Sequence, residues 1–393
     1  MMDSFAVFST AEWILISICA ALFIAELLYY RITYLRPYRK AQQNKQEKEE
    51  EQPPVSVIVY ADNESHNLKE NLPLLLNQDY PQYEVIVVND GSTDESDEVL
   101  ITFENEYPHL YHTFIPQESK YLSRRKLSLT IGIKAAHHDI LLFTDARCRP
   151  LTNQWVAAMV SNYTAQIDLT LGFCAYRTQK GFFHKLVSYD NLLAGVRYLS
   201  AALCNRPYSG NGQNLSYRKS LFFEHKGYSR SLHLHAGADD LFVNESATGR
   251  NTGVAYTPDS FTERMPYYSM GDWIEMKASR IATHRHFRGN RPAFYHTETI
   301  CSVLFLLSVV ASIALGMLTG NLATALAGLL LYTILYIVKA IVWKKTAALL
   351  SQTSFTAWLP FLEIAYLATG FYIRTYRLFR RKRDYTFTIG GKN

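Results

Sequence analysis

The chain has 393 residues, of which 48% are hydrophobic and 19% are charged, and its formal net charge is +5. At this length, one large domain plus additional segments is expected. The excess positive charge comes mostly from basic clusters beside long apolar runs, which is typical of membrane topology, so it does not indicate nucleic-acid binding. The five cysteines show no spacing typical of a zinc site, and their odd number in a cytoplasmic domain indicates free thiols.

Four apolar segments are long enough to be considered as membrane helices, each of which needs roughly 20 residues. No small-residue cleavage site follows the first segment, so we predict a retained anchor and not a signal peptide. The four segments are residues 11–30, 299–318, 322–343 and 355–373.

Residues 53–292 are polar, mixed and long enough to bury a core, so we predict a soluble domain there. Residues 31–52 are a basic, charged linker, and its part from Arg36 to Gln52, rich in Lys, Gln and Glu, is predicted to form a solvated helix or a disordered tether. Basic residues follow the first and third apolar segments, which indicates that the domain faces the cytoplasm. We expect an integral protein of a bacterial inner (plasma) membrane. The basic tail, 374–393, would lie outside if all four segments crossed. The conflict suggests that 355–373 is re-entrant or interfacial, broken at Pro360, and we favour the re-entrant interpretation; alternatively, another segment does not cross.

Two short, β-branched apolar runs in the domain stop abruptly at acidic and small polar residues. The first precedes Asp62 and Glu64, and the second precedes Asp90 and Asp94. Such runs predict buried parallel strands, and ligands of open α/β sheets bind beyond the carboxyl ends of the strands. Leucines at helical spacing lie between the two runs. The pattern predicts an α/β domain with a nucleotide site and no glycine-rich phosphate loop.

The two strand ends resemble motifs of the family 2 glycosyltransferases, whose fold is called GT-A. The resemblance implies a GT-A nucleotide-sugar-binding domain, a mainly parallel sheet flanked by helices, with transmembrane helices at both ends. It also implies that Asp62, Glu64 and Asp90 contact a nucleotide-sugar donor, most often a UDP-sugar. The alternative is that both motifs are ordinary turns that follow a strand, where Asn, Asp, Gly and Ser are common. The matching segments are Ala61-Asp62-Asn63-Glu64 for "A-x-N-E" and Val88-Asn89-Asp90-Gly91-Ser92-Thr93-Asp94 for "V-D-D-G-S-T-D".

A third apolar run ends at Asp145-Ala146-Arg147, where the family carries its "D-x-D" motif. The resemblance implies that Asp145 binds a divalent cation, Mg²⁺ or Mn²⁺, on the donor diphosphate. Such a cation neutralises the charge of the departing nucleoside diphosphate. Arg147 replaces the second acid of the motif. We expect Arg147 either to contact the diphosphate, because a guanidinium suits phosphate, or to point to solvent.

Two further segments resemble family motifs near the donor. Lys126, in the basic stretch that begins at Lys120, matches the lysine of "K-x-x-A-L-x-x-G-I", which implies that it faces the diphosphate; a solvated helix start is the alternative. The run from Tyr208 to Arg218 resembles the "G-x-x-x-x-x-R" strand near donor and acceptor. In that strand, Gly210 would allow close backbone approach and Arg218 would end the strand. A plain glycine-rich turn is the alternative.

The pair Asp239-Asp240 resembles the acidic pair that opens a helix in the family. The resemblance implies that Asp240 is the general base and Asp239 its acidic neighbour. A sugar hydroxyl is a poor nucleophile, so a carboxylate has to take its proton during transfer. Adjacent carboxylates raise the pKa of one of the two, which suits a base. Asp239 can also cap the helix.

The segment from Lys277 to Ile281 has the spacing of the family's "Q-x-x-R-W" motif, of which only Arg280 remains. Loss of the tryptophan removes a sugar-stacking platform. We therefore expect a membrane-bound inverting enzyme that transfers a single sugar to a lipid-linked or glycan acceptor, with Arg280 in its donor site. The alternatives are a processive polysaccharide synthase and a non-catalytic membrane subunit, the latter based on Arg147 and Lys277.

Overall fold

The computed structural model describes residues 8–43, 52–116, 123–289 and 293–380. The predicted linker residues 44–51, the family-like Lys120 and the tail beyond residue 380 lie outside these ranges. The strands are β1 Val55–Ala61, β2 Tyr83–Asn89, β3 Leu110–Phe114, β4 Ile140–Asp145, β5 Cys148–Pro150, β6 Leu169–Leu171, β7 Cys174–Tyr176, β8 Leu215–Arg218, β9 Thr252–Val254 and β10 Thr262–Arg264. The α-helices are α1 Thr10–Tyr29, α2 Arg36–Gln43, α3 Ser65–Leu76, α4 Ser96–Glu106, α5 Arg124–Ala135, α6 Trp155–Val160, α7 Phe182–Leu203, α8 Lys219–Glu224, α9 Asp240–Ser246, α10 Met270–His284, α11 Ala293–Thr319, α12 Leu322–Leu349 and α13 Leu359–Leu378.

The central sheet has seven strands in the order β3-β2-β1-β4-β8-β6-β9. Strands β3, β2, β1 and β4 are parallel, β8 is antiparallel to both of its neighbours, and β6 and β9 are parallel to each other. This confirms the predicted α/β class and its mainly parallel sheet. Because β1 lies between β2 and β4, the carboxyl ends of these three strands meet at one edge of the sheet.

Helices cover both faces of this sheet, and alternate residues of β1 belong to two separate hydrophobic cores. Val57 and Val59 pack in one core together with leucines of α3, whereas Ile58 packs in the other with residues of α5. Residues of β1 are buried on both faces, which is why the strand is continuously apolar in sequence. A smaller three-stranded sheet, in the order β5-β10-β7, continues from the end of β4.

Three helices of the described ranges are long and apolar enough to cross a membrane. They agree with the first three segments predicted from the sequence. Helix α1 continues through a π-helical turn, Tyr30–Tyr34, in which Tyr34 is fully buried against the domain. Residues 36–43 form helix α2, in which Arg39, Lys40, Gln42 and Gln43 are exposed and Pro37 is buried, so this part of 31–52 is a helix that is largely open to solvent. The three spans are Thr10–Tyr34, Thr297–Thr319 and Leu322–Leu349.

The fourth apolar segment, 355–373, is not among these spans. Pro360 stands in the first turn of α13, where proline is tolerated, and the helix continues unbroken to Leu378. The predicted break at Pro360 is therefore absent. Helix α13 packs against α7 and α10 of the domain while Phe361 and Phe371 remain exposed. The structure thus favours the interfacial interpretation of this segment over the re-entrant one.

The absence of a side chain at Gly132 lets α5 approach the sheet closely. A Cβ atom at this position would lie 2.8 Å from Cγ2 of Ile58 and 3.1 Å from Cγ2 of Val88. We expect Gly132→Ala to lower the free energy of unfolding by about 1–2 kcal/mol, after the gain in helix propensity is subtracted. The control is Gly370→Ala in α13, where a Cβ would meet nothing within 4 Å. Thermal unfolding in one detergent measures both variants, and equal stability of the two would contradict this packing argument.

Candidate active site

Three acidic side chains meet at the carboxyl edge of the central sheet. Asp62 directly follows β1, Asp90 directly follows β2, and Asp145 is the last residue of β4. The parallel register places Tyr60 opposite Asp145 and Ala61 opposite Asn89, so all three strands end at the same level. Asp90 and Asp145 are buried, with 3% and 7% exposure. The structure therefore brings together three of the acids that the sequence placed at strand ends.

Asp90 is held by two partners at this edge. Its carboxylate accepts hydrogen bonds from the Tyr60 hydroxyl at 2.8 Å and from Nε of Arg124 at 2.9 Å, and Arg124 also donates to the Asp90 carbonyl at 2.7 Å. Burial raises the pKa of Asp90 above its ordinary value, and the hydrogen bond from Tyr60 and the charge of Arg124 limit the rise. The positive charge of Arg124 thus offsets part of the cost of burying the Asp90 carboxylate.

Asp145 is held by the next residue of the same helix. Arg125 donates to Oδ1 of Asp145 at 2.6 Å, and Gln213 donates to Oδ2 at 3.1 Å. The Arg125 guanidinium also lies over the ring of Tyr60, 4.6 Å from its centre. Although burial opposes its charged form, Asp145 and Asp239 raise the pKa of Arg125. A cation is therefore already positioned beside the acid that was predicted to bind a metal.

Lys126 does not face the sheet edge, and the prediction that it contacts a diphosphate is wrong. Its side chain is fully buried, and its ammonium donates to the carbonyls of Ser231, Leu234 and Ala236 at 2.5, 2.9 and 2.7 Å. Burial lowers the pKa of Lys126 to about 8. An α-helix turns by about 100° per residue, so the side chains of Arg125 and Lys126 leave α5 in different directions. Lys126 holds the loop that leads to Asp239.

Arg147 replaces the second acid of the expected metal motif. Its side chain is not directed only to solvent, and its ion-pair partner is not one of the strand-end aspartates. Its Nε forms an ion pair with Oε1 of Glu64, which is buried with 6% exposure. The other oxygen of Glu64 accepts a hydrogen bond from Asn67 at 2.6 Å. This pair connects the residues that follow β1 with those that follow β4. Arg147 and Glu64 therefore satisfy each other's charge at the edge of the site.

The acidic pair lies at the start of α9, directly beyond the loop held by Lys126. Oδ2 of Asp239 accepts the backbone N–H of Gly212 at 2.8 Å. Oδ2 of Asp240 accepts a hydrogen bond from the Thr283 hydroxyl of α10 at 2.9 Å, and its Oδ1 accepts from the backbone N–H of Leu241 at 2.7 Å. Asp240 is 6% exposed. Its carboxylate is thus oriented by two donors from different elements.

The two acids of this pair have opposite pKa shifts. Burial and the adjacent charge of Asp239 raise the pKa of Asp240 to about 6. Burial also acts on Asp239, but the charge of Arg280 and the N–H of Gly212 lower its pKa below the ordinary value. Such a separation gives one acid that stays ionised and one that can exchange a proton near neutral pH. Arg280 therefore lies close enough to the acidic pair to act on both of its carboxylates.

Two consecutive residues, Gly212 and Gln213, connect the acidic pair to the end of β4. Gly212 donates its backbone N–H to Asp239, and the next residue, Gln213, donates its side-chain amide to Asp145. Gly210 lies two residues before Gly212. A Cβ atom at Gly210 would lie 3.0 Å from side-chain atoms of Leu171 and of Val243. Gly210 allows the segment before β8 to pack closely against β6 and α9, and no ligand contact is needed to explain it.

Arg218 lies at the wrong edge of the sheet for a donor-binding residue. Strand β8 is antiparallel to β4, and its last residue, Arg218, pairs with Ile140, the first residue of β4. The Arg218 guanidinium forms ion pairs with Asp139 and Asp168 at 3.2 and 3.4 Å. The prediction that Arg218 contacts donor or acceptor is therefore wrong, because the antiparallel direction of β8 places its last residue at the opposite edge from the acids.

Within the described ranges, no group of three or more His, Cys, Asp or Glu side chains is arranged to hold a metal ion. The donor set at Asp145 fits a divalent cation only as a single protein ligand, next to the competing cation Arg125. Mg²⁺ commonly uses one or two carboxylates and completes its shell with substrate phosphates and water. The residues present therefore suit a metal that arrives with a diphosphate and takes most of its ligands from it.

Comparison with known proteins agrees with this geometry. Residues 56–228 match the family model "Glycosyl transferase family 2". The matched segment, which is less than half of the chain, is thus similar to glycosyl transferase family 2. It contains β1, β2 and β4, at whose carboxyl ends the three acids lie.

Two curated relatives share part of this domain. Glycosyltransferase AglE of Haloferax volcanii is 34% identical over 124 residues, which cover 30% of this chain and 39% of the relative. Poly-β-1,6-N-acetyl-D-glucosamine synthase of Staphylococcus epidermidis is 26% identical over 119 residues, which cover 30% of this chain and 27% of the relative. The chain thus spans well under half of the length of either relative.

One solved structure resembles the whole chain. The mannosyltransferase PcManGT from Pyrobaculum calidifontis, determined in complex with GDP-Man and Mn²⁺, superposes with a TM-score of 0.57 and 20% sequence identity. The superposition covers 94% of this chain and 99% of the other. It establishes the GT-A fold, which was expected from the motifs.

Sequence reasoning preferred Lys126 to Arg124 and Arg125 within the basic stretch, and it did not connect these two arginines with the strand-end acids that they contact. A signal for Arg125 was present in the helix period. Arg125, Leu129 and Gly132 stand at positions i, i+4 and i+7, and Gly132 is the residue that touches the sheet. Gln213 and Thr283 had no comparable signal, because they come from segments distant in sequence from the acids that they contact.

The neighbouring residues Arg125 and Lys126 provide a matched pair of variants. We expect Arg125→Met to weaken binding of a nucleoside diphosphate by at least tenfold, because a charged hydrogen-bond donor is worth about 1.5–3 kcal/mol. We expect Lys126→Met to change that affinity less than threefold but to lower the unfolding temperature, because three buried carbonyls lose their donor. Isothermal titration and thermal unfolding measure the two effects. The reverse pattern would place Lys126 at the diphosphate instead.

Proposed function

We propose that the protein is a membrane-bound inverting glycosyltransferase that moves a sugar from a nucleoside-diphosphate sugar to a lipid-linked or glycan acceptor. The observation that carries the proposal is the position of Asp240. This buried carboxylate with a raised pKa lies one backbone step from the edge where three strand-end acids meet. A proton acceptor and a site for an activated sugar are the two parts that such a transfer needs.

In the proposed complex, Asp62 and Asp90 hold the nucleoside and the diphosphate lies against Arg125 and Asp145. The carboxyl edge of the parallel strands is the place where α/β sheets bind nucleotides. A divalent cation, Mg²⁺ or Mn²⁺, held there by Asp145 and the diphosphate would neutralise charge on the leaving group. The mannosyltransferase from Pyrobaculum calidifontis, determined with GDP-Man and Mn²⁺, supports this choice of donor and metal.

Transfer is a single displacement at the anomeric carbon. The acceptor oxygen forms the new bond to that carbon while the bond to the β-phosphate oxygen breaks, and the electron pair leaves with the nucleoside diphosphate. Asp240 takes the proton of the acceptor hydroxyl, and the hydrogen bond from Thr283 fixes the direction of its carboxylate. In the proposed complex, Arg125 lies beside the diphosphate, on which negative charge increases as the bond to the sugar breaks. One displacement inverts the configuration at the anomeric carbon.

The membrane helices support an acceptor that reaches the enzyme from the bilayer. With all three candidate helices crossing, the two ends of the described chain would lie on opposite sides of a membrane, and a cytoplasmic domain would require an N-terminus outside. Basic residues then follow the first and the third span on the cytoplasmic side, which agrees with the distribution typical of inner loops. The described chain would then end at Arg380 on the cytoplasmic side, and the conflict created by four spans would not arise.

A processive polysaccharide synthase is the second candidate function, and the curated relative from Staphylococcus epidermidis favours it. Against it stands Ile281, which occupies the place of the sugar-stacking tryptophan. The case for a non-catalytic subunit rested on Arg147 and Lys277. Both residues have partners within the fold, Glu64 and Asp190 respectively. Neither Arg147 nor Lys277 therefore alters the acidic pair that contains the proposed base.

The direct test is Asp240→Asn in the full-length protein. We expect this variant to bind nucleotide sugar within threefold of the wild type but to lose at least 10³-fold in release of nucleoside diphosphate, the upper part of the range for general-base catalysis. The control is Asp259→Asn, which changes an exposed aspartate outside the site. Retained turnover in Asp240→Asn would overturn the base assignment, and loss of donor binding would mean that Asp240 has a structural role.

The raised pKa of Asp240 also predicts the acid side of the pH profile. The base acts only when ionised, so kcat for transfer should fall tenfold per pH unit below about pH 6 and be constant above it. The affinity for the donor, measured across the same range, should change less than the rate. A midpoint near pH 4, the ordinary value of an aspartate, would show that burial and Asp239 do not set the pKa of the base.

A further inference from the structure

Arg264, the last residue of β10, is a buried cation with few partners. Lys126, Lys339 and Arg264 are all buried, with 0, 6 and 8% exposure. Lys126 donates to three carbonyls, and Lys339 contacts two glutamates. Within the described ranges, Arg264 forms no ion pair, and its side chain donates one hydrogen bond, from Nε to the Met265 carbonyl at 3.0 Å. Most of the five N–H donors of its guanidinium are therefore unused.

Two tyrosine rings flank the Arg264 guanidinium. Its central carbon lies 5.0 Å from the ring centre of Tyr267 and 5.7 Å from that of Tyr176. Aromatic faces attract a cation, but they carry no net charge and offset its burial only in part. Within the described part of the chain, the terminal nitrogens of Arg264 have no partner but are not fully closed off from solvent. Because a buried charge is normally paired, this position fits an anion that comes from a ligand.

Arg280 of α10 brings a second positive charge to the same rings. Burial raises the pKa of Tyr176, and the charges of Arg264 and Arg280 limit the rise, so both guanidinium groups lie near this tyrosine. Arg280 also acts on both carboxylates of the acidic pair. A guanidinium binds phosphate through paired, charge-assisted hydrogen bonds. The arginine cluster, which consists of Arg264, Arg280, Tyr176 and Tyr267, therefore suits a phosphate close to the proposed base.

The arginine cluster adjoins the part of the chain that leaves the membrane. Gln352 lies in the connection between α12, a candidate span, and the interfacial helix α13. Its side-chain amide donates to the Tyr176 carbonyl at 3.2 Å, and Tyr176 is paired with Arg264 across β7 and β10. A phosphate that belongs to a lipid can therefore reach the cluster from the bilayer. The nucleotide, in contrast, is expected at the strand ends beyond β1, β2 and β4.

We propose that Arg264, with Arg280 beside it, binds the phosphate of a lipid-linked acceptor whose sugar presents a hydroxyl to Asp240. The proposal rests on the proposed transferase function and names its acceptor as a sugar joined to a lipid through a phosphate. The phosphate itself does not react, because the sugar hydroxyl is the nucleophile and Asp240 takes its proton. Arg264 thus determines specificity, since an uncharged glycolipid would leave its guanidinium without an anion.

The test measures binding of radiolabelled farnesyl phosphate, a lipid phosphate, and of farnesol, its uncharged counterpart, to the full chain in dodecyl maltoside and phosphate-free buffer. Detergent without protein corrects for partitioning into micelles. We expect saturable binding of farnesyl phosphate and none of farnesol. Arg264→Met keeps an apolar side chain between the tyrosine rings and should weaken binding of farnesyl phosphate at least tenfold, since charged hydrogen bonds are lost. Absence of saturable farnesyl phosphate binding, or equal binding of farnesol, would overturn the proposal.

The unfolding temperature separates ligand binding from a structural role. Arg264→Met removes a buried charge that has no counter-ion, so without ligand it should unfold at the temperature of the wild type or above it. Farnesyl phosphate should raise the unfolding temperature of the wild type but not of Arg264→Met. The matched control is Arg250→Met, which changes an exposed arginine outside the cluster and should alter the affinity less than twofold. A lower unfolding temperature of Arg264→Met, or its failure to fold, would identify a structural cation and overturn the proposal.

Competition on the same samples identifies the source of the phosphate. Neither inorganic phosphate nor a panel of nucleoside diphosphates that includes UDP and GDP, each with Mn²⁺, should displace farnesyl phosphate as unlabelled farnesyl phosphate does. Equal displacement by either competitor would assign the arginines to a free anion or to the donor and overturn the proposal. Farnesyl phosphate binding with the expected variant pattern, but without binding of any nucleoside diphosphate, would support the phosphate site and contradict the transferase function, so the two failures are distinguishable.

Discussion

Charge balance at the carboxyl edge of the sheet is the constraint on which the site depends. Parallel strands bring buried carboxylates to one level, and neither Asp90 nor Asp145 is tolerable there without a nearby cation. Consecutive residues of one helix supply these cations, because Arg124 pairs with Asp90 and Arg125 with Asp145. The close approach of α5 to the sheet makes this geometry possible. A diphosphate would enter a site whose positive groups are already fixed.

The same helix connects the donor side to the acceptor side. Lys126 holds the loop before the acidic pair, and the step from Gly212 to Gln213 ties that pair to the strand end. Helix α10 continues the connection towards the membrane, because Thr283 contacts Asp240 and Lys277 approaches α13. The membrane helices, the interfacial helix and the base are therefore parts of one packed unit.

The sequence predicted those features of the structure that depend on residues close together in the chain. Strands β1, β2 and β4 are continuous apolar runs that end at acids, and the pair at the start of α9 is contiguous in sequence. The face of a helix, the direction of a strand and the partner of a charge are set by tertiary packing. That is why Lys126 was placed at the diphosphate instead of Arg125, why Arg218 was assigned to the wrong edge, and why the pairing of Arg147 was not foreseen.

The central claim is that the sheet edge is a nucleoside-diphosphate site. The most direct test is isothermal titration of the purified full-length protein with a panel of nucleoside diphosphates that includes UDP and GDP, each with Mn²⁺, with Mg²⁺ and with chelator. The account predicts saturable binding of at least one nucleotide, tighter with metal, since Asp145 supplies only one protein ligand and the diphosphate completes the shell. Absence of binding for every nucleotide under all three conditions would contradict it.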